Sequence, residues 1–443
     1  MTLRLLLIRH GLSSYNRENR IQGRNDLSTL TPEGISQASK IGESLQGLPI
    51  HAIYSSPLKR ASDTASELLR VHSKSKNIII DNDLLEVDLA PWSGLTIEEV
   101  KKQFPNAYLT WKKSPSELTL KREDGITYNP IQELMDQAEK FLEKIFLTHE
   151  SDKDENIILV AHNAILRCLI LKLLGNPKDG LRRIRLDNAS LSIFNIEIDN
   201  GTPVGIQIES LNSTAHLKPR FPSKGRHGRM ILVRHGETDW NKEGRFQGQI
   251  DVPLNTNGKK QAIAAGGFLK EVNFDRVFSS CMSRPTETAK IILEAHPALA
   301  IQAKSDLKEI SHGLWEGKLE SEIKSDWGEL LLAWQTAPEN VQMPEGESIK
   351  DVSVRAIKCW ESIRNSLLPH ETVLIVAHDA VNKTILCNLL GLSNSDIWKI
   401  KQGNGAISIV DITEDSSLPD IVSSLNITSH LGGVIDTTAQ GAL

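Results

Sequence analysis

Residues 6–11 read Leu-Leu-Ile-Arg-His-Gly, and residues 231–236 read Ile-Leu-Val-Arg-His-Gly. In both copies an apolar run, typical of a strand that is buried on both faces, ends in the same Arg-His-Gly tripeptide. Strands of this kind favour a mainly parallel sheet, in which binding sites form beyond the carboxyl ends of the strands. The recurrence also indicates that one fold is present twice.

The repetition extends over nearly the whole of the 443-residue chain. Residues 15–23 match 240–248, and the Val-Ala-His triplet at 160–162 recurs at 376–378. The spacing between the copies is almost constant, as duplication of one large unit would produce. A solenoid would instead repeat every 20 to 50 residues or so.

Two domains are therefore predicted, residues 1–217 and residues 229–443. The segment between them, residues 218–228, is rich in Pro, Gly and basic residues, which is typical of a linker.

Short apolar runs alternate with helical patterns in each half. In the first half, the predicted strands are residues 5–8, 52–54, 78–80 and 157–160, and the predicted helices are residues 32–48, 57–71, 130–148 and 163–174. Alternation of this kind predicts an α/β fold with a mainly parallel sheet that is covered by helices on both sides.

Composition excludes several classes of function. The formal net charge is −5, so a general nucleic-acid binder or a protein of anionic membranes is not expected. The longest apolar runs are too short for a membrane span or a secretion signal. The four cysteines are far apart and lack metal-ligand spacing. We therefore expect reduced thiols, a cytoplasmic protein and no metal site.

Four predicted strands end in a histidine, namely His10, His162, His235 and His378. A neutral imidazole is a nucleophile, and a charged one donates two hydrogen bonds. Each first histidine follows an arginine, Arg9 or Arg234, and a second arginine, Arg60 or Arg284, opens a later helix. Planar guanidinium groups suit the oxygens of a phosphoryl group, which the histidine would attack in line.

A leaving alkoxide also needs a proton. Glu86 and Glu309 occupy matching positions in the two halves, and a carboxyl with a raised pKa could act as the general acid. A single histidine at a strand end is more often structural than catalytic. The recurrence of Arg-His, Arg, Glu and His in the same order favours chemistry, because positions such as Leu12 and Glu237 diverged between the copies.

These motifs resemble the signature of the histidine phosphatase superfamily, also called phosphoglycerate-mutase-like. The resemblance covers nearly the whole chain twice. In the second half it is carried by residues 234–238, 240–241, 245–248 and 253–254, by Ser279, Ser280 and Arg284, and by residues 288–289, 309–317, 346–348 and 377–378.

The resemblance implies a three-layer α/β/α sandwich for each domain and roles for individual residues, with no metal or cofactor. His235 would be phosphorylated, Glu309 would donate the proton, and the phosphate pocket would contain Arg234, Arg284 and His378. Asn241 and Gln247 would line the pocket, and Glu347 and Ser348 would border the substrate. In the first domain the same roles fall to His10, Glu86, Arg9, Arg60, His162, Asn16 and Gln22.

The first domain departs from the pattern in three places. Leu12-Ser13 replaces Glu237-Thr238, Ala90 replaces Gly313, and residues 346–348 have no clear counterpart. The residues that carry the chemistry are complete, so we expect activity. A different substrate or weaker activity in this domain is left open.

Residues 309–317, Glu-Ile-Ser-His-Gly-Leu-Trp-Glu-Gly, resemble the phosphatase branch and lack the Glu-Arg-His-Tyr-Gly segment that resembles mutases. Hydrolysis of a small phosphomonoester through a phosphohistidine is therefore the favoured function. Substrates of similar proteins include phosphoserine, sugar phosphates, α-ribazole phosphate and phosphorylated sugar acids. A cofactor-dependent phosphoglycerate mutase is one alternative, and a phospho-ligand-binding regulatory module with one inactive domain is another. The oligomeric state is left open.

Overall fold

The computed structural model describes residues 2–72, 76–149, 153–225, 228–296 and 298–439. The chain falls into two units, one that ends at Pro222 and one that begins at Ser223. Residues 1–217 and 229–443 are the proposed domains. Residues 226 and 227 of the predicted linker lie outside the described residues. Within the described ranges, no helix is long and apolar enough to cross a membrane.

The first unit has a six-stranded sheet in the order β8-β7-β1-β6-β2-β3 and a separate hairpin, β4-β5. Its strands are β1 (Thr2–Arg9), β2 (Ala52–Ser55), β3 (Ile78–Ile80), β4 (Leu120–Lys121), β5 (Thr127–Tyr128), β6 (Glu155–Ala161), β7 (Leu191–Asp199) and β8 (Thr202–Ser213). Its helices are α1 (Ser14–Arg17), α2 (Pro32–Ser44), α3 (Lys59–His72), α4 (Ile97–Gln103), α5 (Pro105–Lys113), α6 (Pro130–Thr148), α7 (Asn163–Leu174) and α8 (Gly180–Arg183).

The second unit repeats this arrangement with the strand order β11-β10-β12-β9-β13-β14. Its strands are β9 (Gly228–Arg234), β10 (Arg276–Ser280), β11 (Ile301–Lys304), β12 (Thr372–Ala377), β13 (Ile407–Ile412) and β14 (Ile421–Ile427). Its helices are α9 (Asp239–Glu243), α10 (Thr256–Leu269), α11 (Ser283–Ile292), α12 (Glu320–Thr336), α13 (Ile349–Asn365) and α14 (Asp379–Leu390).

The predicted α/β fold with a mainly parallel sheet is confirmed. In the first unit β1 pairs in parallel with β6, and β2 pairs in parallel with β6 and β3. The departure is at one edge, where β7 runs antiparallel to β1 and β8 antiparallel to β7. Because β7 is antiparallel, the residues that precede it lie at the carboxyl end of β1.

The connections place a crevice between β1 and β6. From β1 the chain passes through α2 to β2 and through α3 to β3, moving in one direction across the sheet, and α6 then brings it back to β6. Since such crossovers are right-handed, α2 and α3 cover one face and α6 covers the other, where α7 packs against it. The chain therefore leaves β1 and its neighbour β6 toward opposite faces, and such a switch point is where α/β sheets bind ligands.

Helix positions follow the sequence with small shifts at the ends. The predictions 130–148 and 163–174 are confirmed without change. The helix predicted at 32–48 ends at Ser44, because the chain turns at Leu45 and reaches a left-handed conformation at Gly47 (φ +84°). The helix predicted at 57–71 begins at Lys59, since Ser56 still accepts a hydrogen bond from the Leu58 amide.

The glycine of each Arg-His-Gly motif packs directly against another glycine. A Cβ atom on Gly236 would lie 2.3 Å from the carbonyl oxygen of Gly258, and one on Gly258 would lie 2.0 Å from the carbonyl oxygen of Glu237. Gly11 and Gly34 repeat this contact in the first unit. The second helix after the motif, α2 or α10, is thereby held close to the backbone beside the histidine.

This contact gives a stability test. We expect Gly258→Ala to lower the free energy of unfolding by about 1–3 kcal/mol, because the new methyl group meets backbone that cannot move aside. Gly267→Ala, in the same helix with nothing within 4 Å of the added Cβ, is the matched control. It should raise stability by about 0.5–1 kcal/mol. Denaturant unfolding measures both, and an unchanged Gly258→Ala midpoint would contradict the packing.

Candidate active site

The residues predicted to carry the chemistry lie together at the carboxyl edge of each sheet. His10 follows β1 and His162 follows β6, and their ring centroids are 5.2 Å apart. Arg60 lies in the first turn of α3, after β2. In the second unit the rings of His235 and His378 are 5.1 Å apart in the same arrangement.

The first histidine of each pair has a defined tautomer. Nδ1 of His10 lies 2.8 Å from the carbonyl oxygen of Gly11, and Nδ1 of His235 lies 2.7 Å from that of Gly236. A carbonyl oxygen only accepts, so Nδ1 carries the proton and Nε2 keeps its lone pair. In the second unit Nε2 of His235 accepts from Nε of Arg284 at 3.2 Å. The nitrogen that keeps its lone pair therefore faces a guanidinium group.

Burial and positive neighbours keep these imidazoles neutral. Burial first, and then Arg60 and Arg9, hold the pKa of His10 well below its usual value of 6.5. Burial, followed by Arg284 and Arg234, does the same to the pKa of His235. The lone pair on Nε2 is therefore available at neutral pH.

Each arginine is held by backbone carbonyls, which leaves other donors for a ligand. Arg60 donates to the carbonyl oxygens of Asn25 and Gly23, each at 2.8 Å, and Arg9 donates to that of Leu186 at 2.8 Å. Nε of Arg9 and Nε of Arg60 are buried with no hydrogen-bond partner among the described residues. Buried donors without a partner are costly, and a phosphoryl oxygen would satisfy them.

The second histidine of each pair is anchored from the opposite side. His162 Nε2 lies 2.8 Å from Ser56 Oγ, and His378 Nε2 lies 2.9 Å from Ser280 Oγ. Nδ1 of His162 and of His378 is buried without a partner in the described parts of the chain. Both rings are fully buried next to the ring of the first histidine, and neither is among the residues that line the cavities.

The candidate proton donors lie at the start of the helix that follows the second histidine. Both oxygens of Glu86 accept from the Ala164 amide, at 3.1 and 3.2 Å. Glu309 accepts from the Asp379 amide at 2.9 Å and from the Ala380 amide at 3.2 Å. Burial first, and then the charge of Asp379, raises the pKa of Glu309.

Comparisons with known proteins indicate the same class of site as the geometry. The sequence profile of the histidine phosphatase superfamily (branch 1) matches the chain twice, over residues 5–209 and 230–423. The chain belongs to this superfamily. The predicted tandem of two histidine phosphatase domains is thereby confirmed.

Three relatives illustrate the similarity. The 2-carboxy-D-arabinitol-1-phosphatase of Triticum aestivum is 28% identical over 463 residues, which cover 97% of this chain and 86% of the relative. Phosphoserine phosphatase 1 of Hydrogenobacter thermophilus is 34% identical over 204 residues, 46% of this chain and 94% of the relative. A 2,3-bisphosphoglycerate-dependent phosphoglycerate mutase of Bartonella bacilliformis is 32% identical over 198 residues, 43% of this chain and 94% of the relative. Family and relatives together make this chain a phosphoric monoester hydrolase.

The two histidine phosphatase domains differ in the space around the site. The cavity at His10 has a volume of about 330 Å³, and Asn16 and Gln22 are among its lining residues. The cavity at His235 is smaller, about 30 Å³, and its lining includes Asn241 and Gln247. The first domain therefore has room for a larger substrate.

Hydroxyl groups orient the lining amides. The Thr238 hydroxyl lies 3.1 Å from Oδ1 of Asn241 and 2.9 Å from Oε1 of Gln247. With its oxygen beside that hydroxyl, Gln247 has its Nε2 donor buried and without a partner in the described residues. Ser13 lies in the same way beside Asn16 and Gln22 in the first domain. The hydroxyl groups thus fix the orientation of these amides at the cavity wall.

Glu347 and Ser348 lie outside the residues that line the cavity at His235. Arg355 donates to both oxygens of Glu347, each at 2.8 Å, and also to the carbonyl oxygen of Glu309 at 3.0 Å. Ser348 is the N-cap of α13 and pairs with Asp351. Glu347, through Arg355, and Ser348, as a helix N-cap, therefore stabilise the loops around Glu309.

Sequence reasoning missed several residues at the site. The side-chain amide of Asn188 donates to the carbonyl oxygen of His10 at 3.1 Å, and that of Asn404 donates to the carbonyl oxygen of His235 at 3.2 Å. Both precede an antiparallel strand, and their recurrence in the two halves was the available signal. Other lining residues differ between the halves: Asn163, Arg167 and Arg182 in the first, and Asp379, Lys383 and Trp398 in the second.

Proposed function

We propose that each domain hydrolyses a small phosphomonoester through a phosphohistidine, formed on His10 in the first domain and on His235 in the second. One observation carries the proposal. In each domain a neutral imidazole, protonated on Nδ1, lies against buried guanidinium groups at the wall of a cavity.

In the first step Nε2 attacks the phosphorus atom and the bond from phosphorus to the leaving oxygen breaks. Arg9 and Arg60, or Arg234 and Arg284, donate to the phosphoryl oxygens, where charge is stabilised as the group is transferred. The second histidine adds its Nδ1 donor. Protonated Glu86 or Glu309 gives its proton to the leaving oxygen, so an alcohol departs.

In the second step a water molecule attacks the phosphohistidine and the phosphorus–nitrogen bond breaks. The carboxylate left by the first step takes a proton from that water, which regenerates the acid for the next turnover. Inorganic phosphate leaves, and the imidazole returns to its neutral form. Arginines supply the positive charge in this scheme, so we propose that the reaction needs no metal and that a small phosphorylated metabolite is the substrate.

Two alternative functions predict different results in activity and binding assays. A phosphoglycerate mutase, the activity named for the Bartonella relative, would isomerise 3-phosphoglycerate in the presence of 2,3-bisphosphoglycerate faster than it releases phosphate. A binding module would bind phosphorylated ligands without turnover. The placement of Glu86 and Glu309 beside the nucleophile favours an enzyme, because binding alone needs no proton donor.

The direct test is a panel of phosphomonoesters assayed with the whole chain and with His10→Ala, His235→Ala and the double variant. Each single variant should lose the activities of one domain, and the double variant should lose at least about a thousandfold of the total, because the nucleophiles are gone. His370→Ala, at an exposed position, is the control. Activity should persist in EDTA. Isomerisation without net phosphate release, or full activity of the double variant, would overturn the proposal.

The role of Glu309 predicts a pH effect. Burial first, and then the charge of Asp379, raises the pKa of Glu309, so Asp379→Asn should lower that pKa. The donor must be protonated, so activity on the alkyl ester glycerol 3-phosphate should fall at a correspondingly lower pH. The assay uses the His10→Ala chain, where only the second domain can react.

Two controls isolate the proton donor in that experiment. With p-nitrophenyl phosphate, whose leaving group needs no proton, Asp379→Asn should leave the alkaline limb in place. Asp379→Glu, which keeps the charge, should retain the original profile with both substrates. The fall of activity at high pH could instead move to higher pH, or move by the same amount with both substrates. Either result would count against Glu309 as the acid.

A further inference from the structure

The two cavities differ most in their charge. Five arginines and one glutamate line the cavity of the first domain: Arg9, Arg20, Arg60, Arg167, Arg182 and Glu86. In the second domain three cations face two carboxylates: Arg234, Arg284, Lys383, Glu309 and Asp379. Arg20 is paired with Glu18 at 2.7 Å. The excess positive charge of the first cavity therefore rests on Arg167 and Arg182, beyond the pair that serves the phosphoryl group.

Arg167 and Arg182 are held in place but not neutralised. Arg167, on α7, donates to the carbonyl oxygen of Leu181 at 3.2 Å, which ties it to the helix α8 that carries Arg182. Nε of each is buried without a hydrogen-bond partner, and no ion pair includes either side chain, in the parts of the chain that the structure describes.

The same positions are compensated in the second domain. Lys383 stands where Arg167 does, and it pairs with Asp379 at 2.8 Å. Trp398 stands where Arg182 does, and the ammonium group of Lys383 lies 4.8 Å from its ring centroid. In the first domain the counterpart of Asp379 is the neutral Asn163, whose amide donates to the carbonyl oxygen of Leu186.

Unpaired guanidinium groups in such a place are costly. Burial, followed by the charges of Arg182 and Arg9, lowers the pKa of Arg167 to about 10, so it remains charged at neutral pH. Removing charge from water without a counter-ion is unfavourable. An anion bound between the two guanidinium groups would offset this cost. Glu86 lines the same cavity, but no carboxylate among the described residues forms an ion pair with either guanidinium group, so a ligand would bring the anion.

We propose that Arg167 and Arg182 form a subsite for a second acidic group of the substrate, such as a carboxylate, and that the second domain lacks this subsite. The inference rests on the proposed function, because it assumes that the phosphoryl group lies at His10. The first domain then acts on phosphorylated acids, and the second acts on phosphomonoesters without another negative charge.

The test compares two substrates that differ at one group. In 3-phosphoglycerate a carboxylate replaces one hydroxymethyl group of glycerol 3-phosphate. In the His235→Ala chain we expect kcat/KM to favour 3-phosphoglycerate by at least about tenfold, the strength of one charge-assisted hydrogen bond. The His10→Ala chain, in which only the second domain reacts, should show no such preference.

Substitution then assigns the preference to its residues. Arg167→Gln or Arg182→Gln in the His235→Ala chain should lower kcat/KM for 3-phosphoglycerate by about 10- to 100-fold. Glycerol 3-phosphate should change little. Arg183→Gln is the matched control. It removes the same charge next to the subsite, but Arg183 does not line the cavity. Equal loss for both substrates, or no preference in the His235→Ala chain, overturns the subsite.

A separate readout covers the case in which the proposed function is wrong. p-Nitrophenyl phosphate has no second acidic group, so its hydrolysis reports the chemistry without the subsite. If the His235→Ala chain hydrolyses it but does not prefer 3-phosphoglycerate to glycerol 3-phosphate, the subsite is overturned and the proposed function is not. If no substrate reacts, calorimetry on the chain with both His10→Ala and His235→Ala still measures binding. Tighter binding of 3-phosphoglycerate that is lost with Arg182→Gln supports the subsite, and equal affinity for the two ligands overturns it.

Discussion

The site depends on one hydrogen bond in each domain, from Nδ1 of the first histidine to the carbonyl oxygen of the glycine that follows. This bond fixes the tautomer, and the tautomer decides which nitrogen presents a lone pair to the substrate. The glycine is needed there because its backbone lies against that of a second glycine in the first turn of α2 or α10, with no room for a Cβ atom. Backbone packing therefore fixes which imidazole nitrogen keeps its lone pair before any ligand arrives.

The fold then decides what surrounds that nitrogen. β1 and β6, like β9 and β12, are neighbours from which the chain leaves toward opposite faces, so the residues after these strands share one crevice. Arg60 and Arg284 enter it from the helix that follows the next strand. Both arginines are anchored to backbone carbonyls, and burial first, followed by their positive charge, keeps the imidazole neutral. The proposed phosphate donors thus help to keep the proposed nucleophile in its neutral form.

Much of this could be predicted from the sequence, because recurrence in two halves marks residues that serve a common purpose. The histidines, arginines and glutamates were found in that way, and so was the mainly parallel sheet. Recurrence cannot find residues that differ between the copies, which is why Arg167 and Arg182, opposite Lys383 and Trp398 in the other copy, were not predicted as site residues. Glu347 was expected to border the substrate, but a sequence does not show that Arg355 occupies its carboxylate.

The central claim is tested most directly by locating the phosphoryl group on the enzyme. Rapid quenching of the chain with a turning-over phosphomonoester, followed by digestion at alkaline pH and mass spectrometry, identifies the modified residue, and NMR of the phosphopeptide identifies the nitrogen. The account predicts phosphate on Nε2 of His10 and of His235, stable in base and lost in acid. Phosphate on Nδ1, or on any other residue, would contradict it.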